Sequence, residues 1–350
     1  MRTIRRKVYR GEREAGLGVL ERAMVVHMAS TNADGAPVLK TVHGVLMEDA
    51  LAFHGASAGE KLECIGRQVV LCAQELVAEI PSYMTDPKRA CPATTYYRSV
   101  QVHGVLEEVT DMARKAAVLQ RLMERYQPEG GHVPITADDP LYTKAVRNIM
   151  VVQVSLERLN AKIKLGQNKP PAVLARIVDG LWRRGRPEDV KAIGELVASD
   201  VPMGVPAFLE CGVPGIVLDP CVKRLEDRRK AAQMLEDAYW NGGMNPQQLM
   251  EAMAHSPAVV GARDVATGEL VAVARAVSDW AKVAWVYDVM VAPGWRGRGV
   301  GDAVMGLLLD HPAVRGCARV LLGTRDAMGF YEGMGFEAIK PSSTTMLRRA

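Results

Sequence analysis

A strand that ends in a glycine-rich turn and runs at once into a helix sets the strongest limit on the fold of this chain of 350 residues. The apolar strand pattern stops at Pro293, glycines occupy alternate positions over 297–301, and a helical pattern covers 302–309. Glycine lets the backbone approach an anion closely, and the free N–H groups at a helix start bind phosphate oxygens. The segment therefore predicts a site for a phosphate or diphosphate group.

Two common phosphate-binding loops do not match this segment. It lacks the Lys-Ser/Thr pair of a P-loop, and its strand comes late in its domain, whereas a dinucleotide-binding loop follows an opening strand. A second block, 320–336, contains a strand, a helix with the pair Phe330 and Tyr331, and a final Gly-Phe pair. The succession of helices and strands beyond residue 225 favours a mixed α/β fold.

Together these blocks resemble the GNAT family of N-acetyltransferases. The segment Arg296–Gly301 matches the family's acetyl-CoA motif, Arg/Gln-x-x-Gly-x-Gly/Ala. The resemblance implies that a neutral amine attacks the thioester of acetyl-CoA while backbone N–H groups orient the acyl group. The residues implied in binding acetyl-CoA are Met290, Val291, Arg296, Gly297, Arg298, Gly299, Val300 and Gly301.

The same resemblance implies three catalytic candidates. Tyr331 protonates the leaving thiolate, and Asp288 or Asp279, directly or through water, takes the amine proton. Each candidate has an ordinary structural alternative. Tyr331 is then a core aromatic, Asp288 a solvated acid at a strand edge, and Asp279 a turn residue.

The first half of the chain has the period-two alternation of β-strands. A short helix is predicted over 58–65, an amphipathic helix over 111–126, and helical segments from 170 to 198. Many antiparallel strands with few helices predict a small β-barrel. The predicted strands cover 24–31, 37–46, 50–54, 68–74, 95–109 and 150–156.

This region resembles the split-barrel superfamily of pyridoxamine 5′-phosphate oxidase, with nitroimidazole-resistance proteins, FMN-binding regulators and piperazate synthases among the relatives. The likeness is carried by 34–37, 53–62, 96–104 and 162–170. It implies that Ser57 and Lys61 hold the phosphate of FMN, with Arg98 and Ser99 nearby. In the structural alternative, Ser57 is only a helix cap and Lys61 is a solvated helix residue.

His54 occupies the position at which these relatives place a histidine that faces the cofactor. It would ligate the iron of heme b, contact a flavin ring, or pack on the barrel wall, and only the first alternative makes it a metal ligand. The segment Leu165–Asn168 resembles the Leu-Ser-Gln-Asn part of a motif in the regulators and piperazate synthases, with Gly166 in place of serine.

The length of the chain predicts two domains. We expect a split barrel over 1–200, a linker over 201–224 and an acetyltransferase over 225–350. The predicted function is a bifunctional enzyme that joins acetyl transfer onto a small amine or amino acid to redox chemistry with FMN or heme. The alternatives are a heme enzyme that forms an N–N bond on an N-hydroxylated amino acid, and a cofactor-binding sensor or transcriptional regulator. The split-barrel resemblance also implies a homodimer.

Composition also bears on binding partners, membrane association and cellular compartment. The formal net charge is only +4 with acids and bases interleaved, which disfavours nucleic acid as a partner. The sequence has no apolar run of about 18 residues for a membrane span and no apolar stretch after its basic N-terminus for a signal peptide. Its six cysteines are scattered, so we expect a cytoplasmic protein with reduced thiols.

Overall fold

The computed structural model describes residues 4–339. These residues form two compact units, an N-terminal unit of 4–177 with 195–204 and a C-terminal unit of 178–194 with 205–339. The N-terminal unit contains two antiparallel sheets, and the C-terminal unit contains one mixed sheet with helices. The predicted two-domain fold class is confirmed.

The larger sheet of the N-terminal unit has six strands in the order β1-β10-β7-β6-β2-β3, and all neighbours are antiparallel. The period-two signal predicted four of them. The strands are β1 (Arg10–Gly11), β2 (Val26–Thr31), β3 (Pro37–Val42), β6 (Gln68–Ile80), β7 (Thr94–Val105) and β10 (Leu159–Lys164).

The smaller sheet has the order β4-β5-β9-β8 and is also antiparallel. Its strands are β4 (Val45–Leu46), β5 (Ala50–Gly55), β8 (Glu107–Glu108) and β9 (Met150–Ser155). The helices of this part of the chain are α1 (Arg13–Arg22), α2 (Met112–Tyr126) and α3 (Thr143–Asn148). Both sheets and α1 contribute to one core, which includes Leu20, Met28, Leu51, Phe53, Leu71, Val100 and Val152. A core shared between two sheets is what a split barrel requires.

Several local predictions for this unit differ from the structure. The helix predicted over 58–65 is a turn followed by a single 3-10 turn at Leu62–Cys64, because Gly59 takes a left-handed φ of +91° and eight residues are too few to sustain a helix. The strand predicted over 37–46 is two strands, β3 and β4. Helix α1 and strand β10 were not predicted.

The sheet of the C-terminal unit has the order β11-β12-β13-β14-β15, with β14 and β15 parallel and the other neighbours antiparallel. Its strands are β11 (Ile216–Asp219), β12 (Ala258–Asp264), β13 (Leu270–Ser278), β14 (Val283–Val291) and β15 (Arg319–Leu321). Pairing between β14 and β15 stops at Trp285 and Leu321, although β14 continues to Val291. The edge of β14 beyond Trp285 is therefore open on that side. We call this opening the wedge.

The remaining helices follow the chain from residue 171. Their bounds are α4 (Pro171–Arg184), α5 (Pro187–Val197), α6 (Leu225–Leu235), α7 (Pro246–Ala254), α8 (Val300–Leu309), α9 (Pro312–Arg315) and α10 (Met328–Glu332). Helix α7 begins with a capping box between Asn245 and Gln248 and with Pro246 in its first turn. No helix within residues 4–339 is both long and apolar enough to cross a bilayer.

The segment predicted as a linker, 201–224, contains the edge strand β11. A strand of four residues is too short to give a period-two signal among prolines and glycines. Arg263 on β12 ties this strand to α6, because its Nη2 atom lies 2.6 Å from a carboxylate oxygen of Asp219 and 2.6 Å from one of Asp227. Residues 178–194, assigned to the barrel by sequence, cluster with the C-terminal unit.

Candidate functional site

Backbone amides form the first candidate site, in the loop that joins β14 to α8. Gly297 and Gly299 have left-handed φ values of +69° and +83°, and Gly299 is the N-cap of α8. The first N–H to find an acceptor in the helix is that of Ala303, which donates to Gly299 O at 3.1 Å. Within residues 4–339, the six N–H groups of 297–302 have no hydrogen-bond acceptor. These amides can bind the oxygens of a diphosphate, as the sequence predicts.

The surroundings of this loop keep it open and basic. Gly297, Arg298 and Gly299 are exposed. Arg296 donates through Nε to Val291 O at 2.9 Å, which holds the loop against the end of β14. The Arg298 guanidinium lies 5.1 Å from the centre of the Trp295 ring. A Cβ atom at Gly301 would approach Phe330 Cζ to 3.3 Å, so α8 starts directly against α10.

One backbone N–H of β14, that of Val291, points into the wedge, where a ligand can reach it. Ala292 donates its N–H to Val271 O on β13 at 2.8 Å. Because successive strand residues direct their N–H groups to opposite edges, Met290 directs its N–H toward β13 and Val291 directs its N–H into the wedge. The geometry therefore supports the acyl-orienting role for Val291 and not for Met290.

Asp288 is neither a solvated acid nor a free base. It lies at the β-bulge of β14 with a positive φ of +54°, and it is 4% exposed. Its carboxylate accepts a hydrogen bond from Arg275 Nε at 2.7 Å and one from Trp240 Nε1 at 3.3 Å. A carboxylate that is buried and paired in this way holds the bulge in place. The alternative of a solvated acid at a strand edge is wrong, and the role of catalytic base stays a prediction.

Asp279 is a turn residue at the other end of β14. Its Oδ1 atom accepts N–H bonds from Ala281, Lys282 and Val283, and these bonds lower the pKa of the carboxyl group. Val283 and Val291 are eight positions apart, which is about 26 Å along a strand. The structure therefore does not bring Asp279 to the acetyl-CoA loop, and its role as a catalytic base stays a prediction.

Tyr331 lies on α10 and lines an open pocket of about 270 Å³ with Leu321, Thr324 and Phe336. Burial raises the pKa of Tyr331, and the neighbouring Tyr239 and Asp326 raise it further. Its hydroxyl makes no hydrogen bond to the residues that the structure describes. The phenol is thus protonated at neutral pH and available to another group. No role for Tyr239 or Asp326 was predicted from the sequence.

A second set of free amides lies in the N-terminal unit, between β5 and the turn at Leu62–Cys64. In the described part of the chain, the N–H groups of residues 56–61 have no acceptor, and residues 56–60 are exposed. Lys61 folds back over this loop, since a Cβ atom at Gly55 would lie 2.5 Å from its Nζ atom. Ser57 donates its hydroxyl to Asn148 O at 3.1 Å. These residues can bind a phosphate group as predicted.

His54 stands at the end of β5, beside this loop, and its side chain is exposed. The alternative in which it packs on the barrel wall is wrong, because the three preceding residues of β5 fill the core and His54 does not. Partial burial lowers the pKa of His54, and Lys61 and His43 lower it further, so the imidazole is neutral near pH 7. A neutral ring can ligate iron or contact a flavin.

Arg98 and Ser99 do not join Lys61. Arg98 on β7 forms ion pairs with Glu195 at 2.5 Å and with Glu75 at 3.8 Å. After Lys61, the chain next contacts β7 and its continuation where Gly66 donates its N–H to Leu106 O. Leu106 is eight residues from Arg98, which is about 26 Å along an extended strand. The structure describes no contact of Lys61 with Arg98 or Ser99, so their place beside the phosphate stays a prediction.

The segment Leu165–Asn168 follows directly after strand β10. Gln167 accepts the Leu165 N–H at 2.8 Å and donates to Ile163 O at 3.0 Å, so its amide is used within the segment. Gly166 has a φ of +92°, and a Cβ atom there would approach the Tyr96 hydroxyl to 2.6 Å. This contact explains glycine in place of serine. Across residues 4–339, no three His, Cys, Asp or Glu side chains gather as metal ligands.

Comparison with known proteins gives two separate family matches. The profile of the pyridoxamine 5′-phosphate oxidase family matches residues 12–163, and that of the acetyltransferase (GNAT) family matches residues 228–336. Glucosamine 6-phosphate N-acetyltransferase 1 of Oryza sativa subsp. japonica is 34% identical over 94 residues, which are 25% of this chain and 57% of that protein. GCN5-related N-acetyltransferase 1 of Arabidopsis thaliana is 34% identical over 86 residues, 24% of this chain and 44% of that protein. The chain thus spans less than two thirds of either relative.

Two solved structures match parts of this chain. The flavocytochrome Anf3 of Azotobacter vinelandii is 20% identical with a TM-score of 0.40, covering 46% of this chain and 72% of its own. A GNAT-family protein of Xanthomonas campestris pv. campestris is 30% identical with a TM-score of 0.36, covering 40% of this chain and 96% of its own. By the two profile matches, residues 12–163 belong to the pyridoxamine 5′-phosphate oxidase family and residues 228–336 to the GNAT acetyltransferase family, so the chain is a fusion of the two.

Proposed function

We propose that the C-terminal unit transfers an acetyl group from acetyl-CoA to a primary amine. The observation that carries the proposal is the row of six unpaired N–H groups over 297–302, where a strand gives way to a helix. Amides that point the same way at a helix start bind the diphosphate of coenzyme A, and the guanidinium of Arg298 adds positive charge. The membership of residues 228–336 in the GNAT family supports this assignment.

The wedge beside β14 accommodates the thioester end of the substrate. The Val291 N–H points into the wedge and donates to the thioester oxygen, where negative charge develops as the amine attacks. The Asp288 bulge supports this arrangement, because it lets β14 leave its regular register just before Val291.

Tyr331 serves as the general acid. The amine nitrogen forms a bond to the carbonyl carbon, the C–S bond breaks, and the departing thiolate of coenzyme A takes the phenol proton. Because the pKa of Tyr331 is raised, the phenol keeps its proton until the thiolate forms. The acceptor amine approaches past Tyr239, Trp240 and Tyr287, which are 41 to 42% exposed.

Calorimetry with acetyl-CoA, followed by thiol release with a panel of primary amines that includes D-glucosamine 6-phosphate, tests the proposal. We expect Tyr331→Phe to lower kcat by about 100-fold, within the usual range for loss of a general acid, and to leave the affinity for acetyl-CoA unchanged. Tyr126→Phe, in the N-terminal unit, is the matched control. Wild-type protein that binds no acetyl-CoA would overturn the assignment.

For the N-terminal unit we propose binding of FMN. The free amides of 56–61 and the Lys61 ammonium fit a phosphate dianion, and the neutral, exposed imidazole of His54 fits a contact with the flavin ring. A bound flavin would supply hydride and electron transfer. Heme b is the second candidate, favoured by His54 alone, whose neutral ring suits an axial ligand.

One absorbance spectrum after loading with FMN or with hemin decides between the two candidates. We expect flavin bands, with Lys61→Met reducing the amount retained. A Soret band that His54→Ala abolishes would favour heme instead. The absence of both spectra after loading would contradict the proposal that this unit binds either group.

A further inference from the structure

Acetyl transfer requires a group that takes the amine proton, and neither acid predicted from the sequence is placed to do so. Asp279 lies in the turn at the far end of β14, and Asp288 is buried under Arg275. The identity of this group depends on the proposed function of the C-terminal unit. A carboxylate that remains exposed near Tyr331 is Asp326, five residues before it in the chain.

The hydroxyl of Tyr239 connects Asp326 to the surface past which the acceptor amine is proposed to approach. That hydroxyl accepts the Arg325 N–H at 3.0 Å and lies 3.2 Å from Asp326 Oδ1. Since an ionised carboxylate only accepts hydrogen bonds, the Tyr239 proton must point to Asp326. One lone pair on the phenol oxygen remains free, and the ring is 42% exposed. The hydroxyl can therefore receive a proton from outside while its own proton moves to Asp326.

Neighbouring groups hold Tyr239 in this position. The Arg325 guanidinium lies 3.8 Å from the centre of the Tyr239 ring, and Trp240 packs edge-on at 4.9 Å between ring centres. Trp240 in turn donates to Asp288 at the bulge of β14. The bridge thus connects the strand that borders the wedge to the segment that leads into α10.

The bridge also lies close to the general acid. Tyr239 and Asp326 both raise the pKa of Tyr331, which places the three groups in one electrostatic neighbourhood. Acid and base must reach the same tetrahedral carbon, because the amine nitrogen and the leaving sulfur are both bonded to it. Asp279 is held in its turn by three N–H groups that its Oδ1 atom accepts, so it is not free to take the amine proton.

We propose that Asp326 is the general base of acetyl transfer and that it receives the amine proton through the Tyr239 hydroxyl. As the N–C bond forms, the amine proton passes to the Tyr239 oxygen, and the Tyr239 proton passes to Asp326. As the C–S bond breaks, the thiolate takes the Tyr331 proton. The products are an amide and the free thiol of coenzyme A, and one proton returns from Asp326 to Tyr331 through solvent.

The pH profile of Asp326→Asn in the full chain tests the proposal, with the best amine of the panel as acceptor. We expect kcat to fall about 100-fold at neutral pH with unchanged affinity for acetyl-CoA. The residual rate should keep rising with pH until the free amine is itself neutral, beyond the pH at which the wild type levels off. Asp326→Glu should recover part of the rate, and Tyr239→Phe should lose the relay.

Glu269→Gln, in the exposed turn between β12 and β13, is the matched control, because it removes one carboxylate charge away from Tyr239 and Asp326, and the rate should stay at the wild-type value. Asp326→Asn with wild-type kcat and pH profile would overturn the proposal. A measurement without turnover adds a second criterion: NMR titration of Tyr331 should show a lower pKa in Asp326→Asn, and an unchanged pKa would also overturn it. Failure to bind acetyl-CoA would instead refute the proposed function of the unit.

Discussion

The loops at 56–61 and 297–302 each present six backbone N–H groups without an acceptor in the described residues, but the elements after the two loops differ. The C-terminal loop continues into α8, a helix of ten residues whose aligned peptides add a positive dipole end. The N-terminal loop continues into one 3-10 turn of three residues and depends on the Lys61 ammonium for its charge. The same anion chemistry is thus built from backbone geometry in one unit and from a side-chain charge in the other.

This difference predicts different sensitivities. A site made of helix amides depends on backbone conformation, so it is vulnerable at the glycines that shape it. A site that relies on a half-exposed lysine depends on Coulomb attraction, which dissolved salt screens over about 10 Å. Ligand binding should therefore be most sensitive to glycine substitution at the C-terminal loop and to salt concentration at the N-terminal loop.

The largest expected effect is at Gly299. Valine there would be forced to a φ of +83°, which costs a β-branched residue at least about 1–2 kcal/mol, and its Cβ atom would lie 3.6 Å from Val213, so the loop would have to change conformation. We expect Gly299→Val to weaken acetyl-CoA binding by about 100-fold in calorimetry. Gly306→Ala, in an open position within α8, is the control and should leave binding unchanged. If Gly299→Val bound acetyl-CoA with unchanged affinity, the backbone amides of 297–302 would not be the diphosphate site, and the proposed difference between the two loops would be wrong.

A smaller effect is expected at Lys61. Lys61→Met should weaken FMN binding by about 10-fold, in line with the loss of one charge-assisted contact. The variant should also bind with less dependence on ionic strength than the wild type. Arg298→Met, at the C-terminal loop, should change the affinity for acetyl-CoA and its salt dependence less than Lys61→Met changes those of FMN. Equal salt dependence at the two sites would contradict the distinction. Lys144→Met, on exposed α3, controls for net charge.

The smallest expected effect concerns how the stability of each unit depends on pH. The C-terminal unit contains a buried histidine, His311, whereas His54 of the N-terminal unit is exposed. His311 is fully buried, burial lowers its pKa to about 3, and its Nδ1 atom accepts the Ala313 N–H at 3.1 Å. The folded state therefore binds fewer protons than the unfolded state between pH 3 and 6.5, so stability is present above pH 6.5 and falls as the pH drops. Between pH 7 and pH 6 we expect a loss of about 0.7 kcal/mol.

Calorimetric unfolding at several pH values checks this expectation in the transition of the C-terminal unit. His311→Asn keeps a side-chain acceptor for the start of α9 and removes the titrating ring, so its transition should depend less on pH. The same pH dependence in both proteins would show that another group is responsible.

Local patterns in the sequence were enough for some features and not for others. The strand, the glycines and the helix around Gly299 are consecutive in the chain, so their order alone predicts free amides at a helix start. Ser57 and Lys61 were implied by the split-barrel resemblance. Arg98 was grouped with them by family likeness, but the length of β7 carries it to a pair of carboxylates elsewhere. Asp288 looked exposed in its strand pattern because a bulge cannot be read from alternation.

The order of residues along the chain is enough to predict the fold class of each unit and the glycine loop before α8, since strand alternation and a glycine-rich helix start depend on residues that are neighbours in the chain. The pairing of strands such as β1 with β10 depends on how the chain folds. The identity of the carboxylate that accompanies Tyr331, and of the strand amide that enters the wedge, depends on how the chain folds. Tyr239 and Asp326 are 87 positions apart. Proton transfer requires contact within hydrogen-bond distance, and for residues so far apart that contact exists only after the chain has folded.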